Sequence, residues 1–252
     1  GDHRDLHLSL RRQRQMCIRD SNNGASAYKE FGSETSPGTR MFAISGHVNR
    51  PGVYEVEHGV TSFRELFYGD NFCGGIREDN ELKMFIPGGG SAPWFFQEQL
   101  DLPLEASDVG AAGSMLGSGA IVVMDETTDA VKACLSVVRF FAHESCGKCS
   151  PCREGTTWEE KILQRILNGD GRPSDIDLLL DIGDNISPGP YPVASYLDEG
   201  LEAVPFPPRQ TTICPLGPSS VAPIVSAIRR FRNEFDSLIT KTDPIPLALS
   251  VE

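Results

Sequence analysis

Residues 143–158 read HESCGKCSPCREGTTW, which sets Cys146, Cys149 and Cys152 three apart, with Lys148 and Arg153 beside them. Three of the chain's seven cysteines are crowded into this stretch. A Cys-x2-Cys-x2-Cys run on a tight loop projects three thiolates towards one point. That suits three corners of an iron–sulfur cubane, because each iron takes one thiolate and inorganic sulfide supplies the rest. The fourth corner must come from elsewhere, and Cys214 is the one cysteine in a comparable loop.

The flanking residues fit the same chemistry. Thiolates around a cluster carry net negative charge, so Lys148 and Arg153 are expected to lower the thiol pKa values and raise the reduction potential. The amides of Gly147, Ser150 and Gly155 are expected to donate to the sulfurs. Thr156 marks this as different from the bacterial ferredoxin run, whose fourth cysteine follows closely. Two other chemistries stay open on the spacing. A structural zinc site more often uses two separated cysteine pairs, and a redox dithiol is read in a β-α-β context that is missing here. Cys134 falls on the apolar face of a helix and reads as a small core residue. Cys73 and Cys17 take no role. His143 reads as an exposed side chain at a helix C-terminus.

Working outward, residues 126–240 are helical in pattern. Thr127 or Thr128 is expected to cap DAVKACLSVVRFFAHE, with Val131, Leu135, Val138 and Phe141 at helical spacing. Thr156 and Glu159 read as a capping box opening TWEEKILQRILNGDG. Pro173 introduces SDIDLLLDIGDNI, and Ile224, Ile228, Phe231, Phe235 and Leu238 form the stripe of a last helix. Four such helices make a bundle. A Pro-rich loop over 187–218 separates the last two and holds Cys214.

Residues 41–125 carry β signals. MFAISGHV alternates into a turn at Asn49-Arg50-Pro51-Gly52, and VYEVE is its hairpin partner. Ser62 and Glu65 open a short helix, and LKMFIP and AIVVMDE read as further strands. The glycine-rich pieces IPGGGSAPWF and GAAGSMLGSGA lack the signature of a phosphate cradle and read as backbone-packing turns. The predicted fold class is therefore α+β: a small β-grasp-like domain at 41–125, then a four-helix bundle at 126–240 carrying an iron–sulfur cluster. Residues 1–40 show no usable periodicity; RRQRQMCIRDS reads as a translated adapter or a disordered tail, and 1–40 and 241–252 are expected to lie outside the fold.

Composition bounds the partners. A net charge of −12 argues against nucleic acid, whose phosphates ask for a basic surface. No apolar stretch approaches the roughly 20 residues that span a bilayer; the longest candidate, AVKACLSVVRFFA, is broken by Lys132 and Arg139. No direct membrane insertion is expected. Clustered cysteines in odd number fit a reducing compartment.

AGSMLGSGAIVVMDETT, FFAHESCGKCSPCREGT, LLLDIGDNI and TICPLG together resemble the flavoprotein subunit of NADH:quinone oxidoreductase, respiratory complex I. SGHVNRPGVYEVEHGVTSFRELF is similar to that family's soluble ligand-binding β-grasp segment. The resemblance spans about residues 41–240. It implies a 4Fe-4S cluster held by Cys146, Cys149, Cys152 and Cys214, which takes electrons from FMN after NADH has reduced it. It further implies partner subunits in the peripheral arm and a cytoplasmic place at the inner membrane, reached through the complex. Diaphorase subunits of NAD-linked hydrogenases and formate dehydrogenases share the pattern. A non-catalytic module with a structural metal is the reading from another class. The family's nucleotide-binding half, which holds FMN and NAD, has no counterpart here, so no flavin or hydride-transfer residue is carried over and the chain alone is not expected to oxidise NADH. Cys214 stands further beyond Cys152 than is usual in the family. Pro215-Leu216-Gly217-Pro218 follows it where Ala-Leu-Gly-Asp is common.

Overall fold

A computed structural model of the chain describes residues 22–188 and 211–239. The β-rich part runs β1 (Thr39–Gly46), β2 (Gly52–Glu57), α2 (Phe63–Tyr68), β3 (Leu82–Ile86), α3 (Ala106–Ala111) and β4 (Ala120–Asp125), preceded by a short α1 at residues 22–28. The helical part runs α4 (Ala130–Glu144), α5 (Ser150–Arg165), α6 (Asp175–Ile186) and α7 (Leu216–Leu238).

The sheet order is β2-β1-β4-β3, with β1 and β4 parallel at the centre and an antiparallel partner on each side. This is the β-grasp arrangement that the hairpin, helix and two later strands predicted. Strand β1 alternates because one face only is covered: Phe42 and Ile44 are buried, and Met41 is exposed. Strand β4 is apolar from Ala120 to Met124 because both faces are covered. Ile121 and Val123 join Phe42, Phe63, Phe67 and Phe85 in the core beneath α2, whereas Val122 and Met124 turn towards the bundle. On β3 a register shift between Leu82 and Met84 sends Met84 and Ile86 to the bundle side and leaves Leu82 and Phe85 on the other. The bundle thus packs on the outer face of β3 and β4.

The two glycine-rich turns meet each other. A Cβ on Gly88 would fall 2.2 Å from the Met115 carbonyl oxygen, and one on Gly117 would fall 2.2 Å from that of Gly88. Trp94, in the first turn, donates its amide to Ser226 Oγ of α7 at 3.0 Å, and Lys83 pairs with Glu234 at 2.6 Å.

In the bundle, α4 packs on α5 and α7, and α6 packs on α5 and α7. Three capping expectations resolve differently from one another. Ser62 caps α2, its Oγ accepting from the Glu65 amide at 3.1 Å. Helix α4 is capped by Asp129, which accepts from the Lys132 amide at 2.9 Å, and not by Thr127 or Thr128. The Thr127 hydroxyl is instead committed to Asp125 at 2.6 Å. Helix α5 starts at Ser150, six residues before the expected box, because Pro151 sets a helical φ in the first turn. Thr156 is therefore interior and donates back to the Cys152 carbonyl at 2.7 Å, while Glu159 is buried. Helix α7 likewise starts inside the expected Pro-rich loop. Pro218 is tolerated there because the first turn's amides have no helical partner anyway.

Residues 22–40 differ from the expectation that they lie outside the fold. The Ser33, Thr35 and Ser36 hydroxyls all donate to Glu105, which also heads α3. The Pro-rich stretch at 189–210, the segment 241–252 and Cys17 lie outside the described residues.

Candidate metal centre

The three clustered cysteines sit on the passage from α4 into α5. Helix α4 ends at Ser145, whose amide donates to the Phe141 carbonyl at 3.0 Å. Gly147 then takes φ 75°, which reverses the chain. Cys149 is the N-cap residue of α5, and Cys152 lies in its first turn. Two of the thiols thus stand at the N-terminus of α5. Cys146 is exposed, Cys149 half-buried and Cys152 buried.

Cys214 arrives from the far side of the sequence, just before α7. Its approach is fixed by Thr211, whose hydroxyl donates to the Ile186 carbonyl at 2.9 Å at the end of α6. Two glycines let the helices close around Ile186. A Cβ on Gly155 of α5 would meet Ile186 Cδ1 at 2.7 Å, and one on Gly217 of α7 would meet Ile186 Cγ2 at 3.1 Å. The outcome is direct contact between the two cysteine segments: the Ile213 amide donates to Cys149 Sγ at 3.3 Å.

Burial pushes the Cys152 thiol up, a hydrogen bond with Ser145 pulls it back, and Cys214, Cys149 and Cys146 push it further up. The Ser145 hydroxyl lies 3.4 Å from Cys152 Sγ. No three His, Cys, Asp or Glu side chains are gathered for a single metal ion among the described residues. A cubane asks for a different geometry, with one thiolate on each iron at separate outer corners. Four sulfur donors from two touching segments, with hydrogen-bond partners on two of the sulfurs, fit such a group.

The remaining expected participants divide. Arg153 folds back on the loop, donating from Nη1 to the Gly147 carbonyl at 2.9 Å, and pairs with Glu154 at 2.8 Å. Lys148 is exposed. Gly155 packs against α6 and is no sulfur donor; the amide found on a sulfur is that of Ile213. His143 points to solvent and lies beside Glu144 at 3.0 Å. Cys134 is fully buried in the bundle core. Ser145 and Ile213 were missed in the sequence. Ser145 adjoins the first cysteine, so proximity was its signal; Ile213 carried none, because a main-chain amide leaves no trace in residue type.

Residues 132–191 match the family described as the NADH-ubiquinone oxidoreductase-F iron-sulfur binding region. The match contains Cys146, Cys149 and Cys152 and ends before Cys214. The chain is 42% identical over 212 residues to the F subunit of NADH-quinone oxidoreductase from Mycobacterium tuberculosis (strain ATCC 25618 / H37Rv), covering 84% of this chain and 42% of the relative. It is 42% identical over 219 residues to the protein of the same name from Streptomyces coelicolor, covering 87% of this chain and 43% of the relative. The chain therefore spans less than half the length of these curated relatives. Among solved structures, an NAD+-reducing nickel–iron hydrogenase in the H2-reduced state aligns with a TM-score of 0.69 and 26% identity, over 89% of this chain and 34% of that one. No helix among the described residues is long and apolar enough to cross a membrane.

Proposed function

We propose that Cys146, Cys149, Cys152 and Cys214 hold a 4Fe-4S cluster that relays electrons within an NADH-quinone oxidoreductase. The observation that carries this reading is the Ile213 amide on Cys149 Sγ, which joins the segment of Cys214 to the 146–152 run. The cluster, when bound, supplies one-electron storage and transfer. The protein's share is positional. The α5 N-terminus presents Cys149 and Cys152, the Arg153 guanidinium holds the loop and adds positive charge near it, and Ile186 with Gly155 and Gly217 keeps the two segments together.

In this reading NADH reduces FMN in the part of the flavoprotein that this chain does not match, and electrons then pass through the cluster towards quinone. Its partners are the other subunits of the peripheral arm, at the cytoplasmic face of the inner membrane. The bundle at 126–240 is the electron-transfer unit, and the β-grasp-like unit at 41–125 braces it. The hydrogenase alignment favours a second reading, a diaphorase subunit of an NAD-linked hydrogenase, with the same cluster and a different electron source.

Anaerobic reconstitution tests the site. Four irons and four acid-labile sulfides per chain are expected, with the visible absorption of a cubane. One zinc per chain and no visible band overturns it. Cys214→Ser is expected to lose the cluster or retain a three-iron form, and a full four-iron cluster there means that another residue is the fourth ligand. Cys134→Ser is expected to leave the iron content unchanged.

A further inference from the structure

We propose that the Ser145 hydroxyl sets the redox level of this site by donating a hydrogen bond to the Cys152 sulfur, which makes Ser145 a positioning residue for electron transfer. The proposal rests on the cluster assignment above and adds a residue outside the ligand set.

Cys152 is the most enclosed of the four cysteines, with 6% of its surface exposed, so water is a poor source of donors for its sulfur. Ser145 Oγ stands 3.4 Å away. The Gly147 amide aims at the same oxygen from 3.5 Å, occupying a lone pair and leaving the hydroxyl hydrogen for the sulfur. Between a thiol and a hydroxyl either group can donate. A ligating cysteine is a thiolate and has no hydrogen, so binding leaves the hydroxyl as the donor. The serine is held at this point by its own backbone, since its amide closes α4 on the Phe141 carbonyl at 3.0 Å. The end of one bundle helix is thereby tied to a ligand on the next.

The two observed sulfur contacts differ in kind. Cys149 receives a main-chain amide from Ile213, whereas Cys152 receives a side-chain hydroxyl. The second is open to substitution. Reduction adds one electron, and the added negative charge spreads onto the ligand sulfurs. A donor to sulfur therefore stabilises the reduced state more than the oxidised one and raises the potential. No proton changes place; one electron enters and one leaves.

The test is a redox titration of the reconstituted full chain, followed by electron paramagnetic resonance, at matched iron content. At the wild-type midpoint, Ser145→Ala is expected to show a reduced-to-oxidised ratio about tenfold smaller, which is about 59 mV for a one-electron couple. Ser145→Thr keeps the hydroxyl and is expected to return the ratio to within about twofold of wild type. An unchanged midpoint in Ser145→Ala overturns the proposal. If the alanine variant does not load, Ser145→Cys replaces it in the comparison. Its thiol is a weaker donor, so a shift in the same direction supports the role and an unchanged midpoint overturns it. Failure of the wild-type chain to take up iron and sulfide is a separate result, which removes the cluster assignment and this proposal with it.

Discussion

Two carboxyl groups are withdrawn from water, one in each half of the molecule, and they are treated in opposite ways. Asp125 closes strand β4 and collects Thr127, Arg77, Asn80 and His47 around its two oxygens, at 2.6 to 3.1 Å. Burial alone would push its carboxyl up; those four partners outweigh burial and hold it well below the usual carboxylate range. Glu159 lies in the middle of α5, faces the bundle core near Cys134, and neither oxygen has a hydrogen-bond partner among the described residues. Burial pushes its carboxyl well above the usual range. Exposure is nil for both, so depth does not separate them. What separates them is whether donors converge. A strand end with two turns beside it can gather donors from several loops, whereas the packed face of a helix presents methyl groups.

The sharpest way to break this contrast is at Asp125. Asp125→Leu leaves Arg77, Asn80 and Thr127 facing an apolar side chain and is expected to cost about 3 kcal/mol, towards the lower end for a broken buried pair because Arg77 is partly exposed. Urea denaturation of the wild type and variant measures it, and a cost below about 1 kcal/mol would show that the network is ornamental.

The opposite sign is expected at Glu159. Glu159→Leu removes an unpaired buried carboxyl and should stabilise the chain by about 1 to 2 kcal/mol at pH 7. The two groups should also respond to acid in opposite directions. Burial raises the Glu159 carboxyl in the folded chain well above its unfolded value of about 4.3. Its penalty is absent below about pH 4.3 and grows as pH rises towards the folded value. Asp125 has the reverse linkage. Its stabilisation is present above about pH 3.9 and is lost as pH falls through its depressed folded value. Denaturation of Glu159→Gln from about pH 2 to about pH 8 should lack the first dependence and keep the second, which falls below about pH 3.9, and retention of the first in that variant would assign it elsewhere.

The smallest effect belongs to a third carboxylate, Asp129, which is near the surface and makes one capping contact to the Lys132 amide. Asp129→Ala should cost about 1 kcal/mol, the ordinary worth of an N-cap, and Thr128→Ala less. A larger loss at Thr128 would return the cap to the residue that the sequence suggested.

Much of the fold was legible because its signals are local. The turn at Asn49–Gly52, the alternation of β1, the apolar run of β4 and the helical stripes of α4, α6 and α7 each report burial on one or two faces, and burial is written in residue type. The capping assignments were less secure because several polar residues compete for one amide. Thr127 lost to Asp129 once Asp125 had claimed its hydroxyl. The Thr156–Glu159 pair matched a box pattern that also fits a helix interior, and Pro151, just beyond the chain reversal at Gly147, marked the true start of α5. Residues 33–36 look like a linker in sequence because serine and threonine are common in linkers; Glu105 and the His58 carbonyl, distant in the chain, give them a place.

Residue type and spacing alone determined that this chain has a β-grasp sheet, a helical bundle and a cysteine run suited to an iron–sulfur group, since periodicity and thiol chemistry are properties of short segments. Tertiary structure decided which distant segment meets that run and which donors reach its sulfurs. The contact of Ile213 with Cys149, the hydroxyl of Ser145 beside Cys152 and the closure of two glycines on Ile186 depend on how α4, α5, α6 and α7 pack, and no segment contains that information by itself.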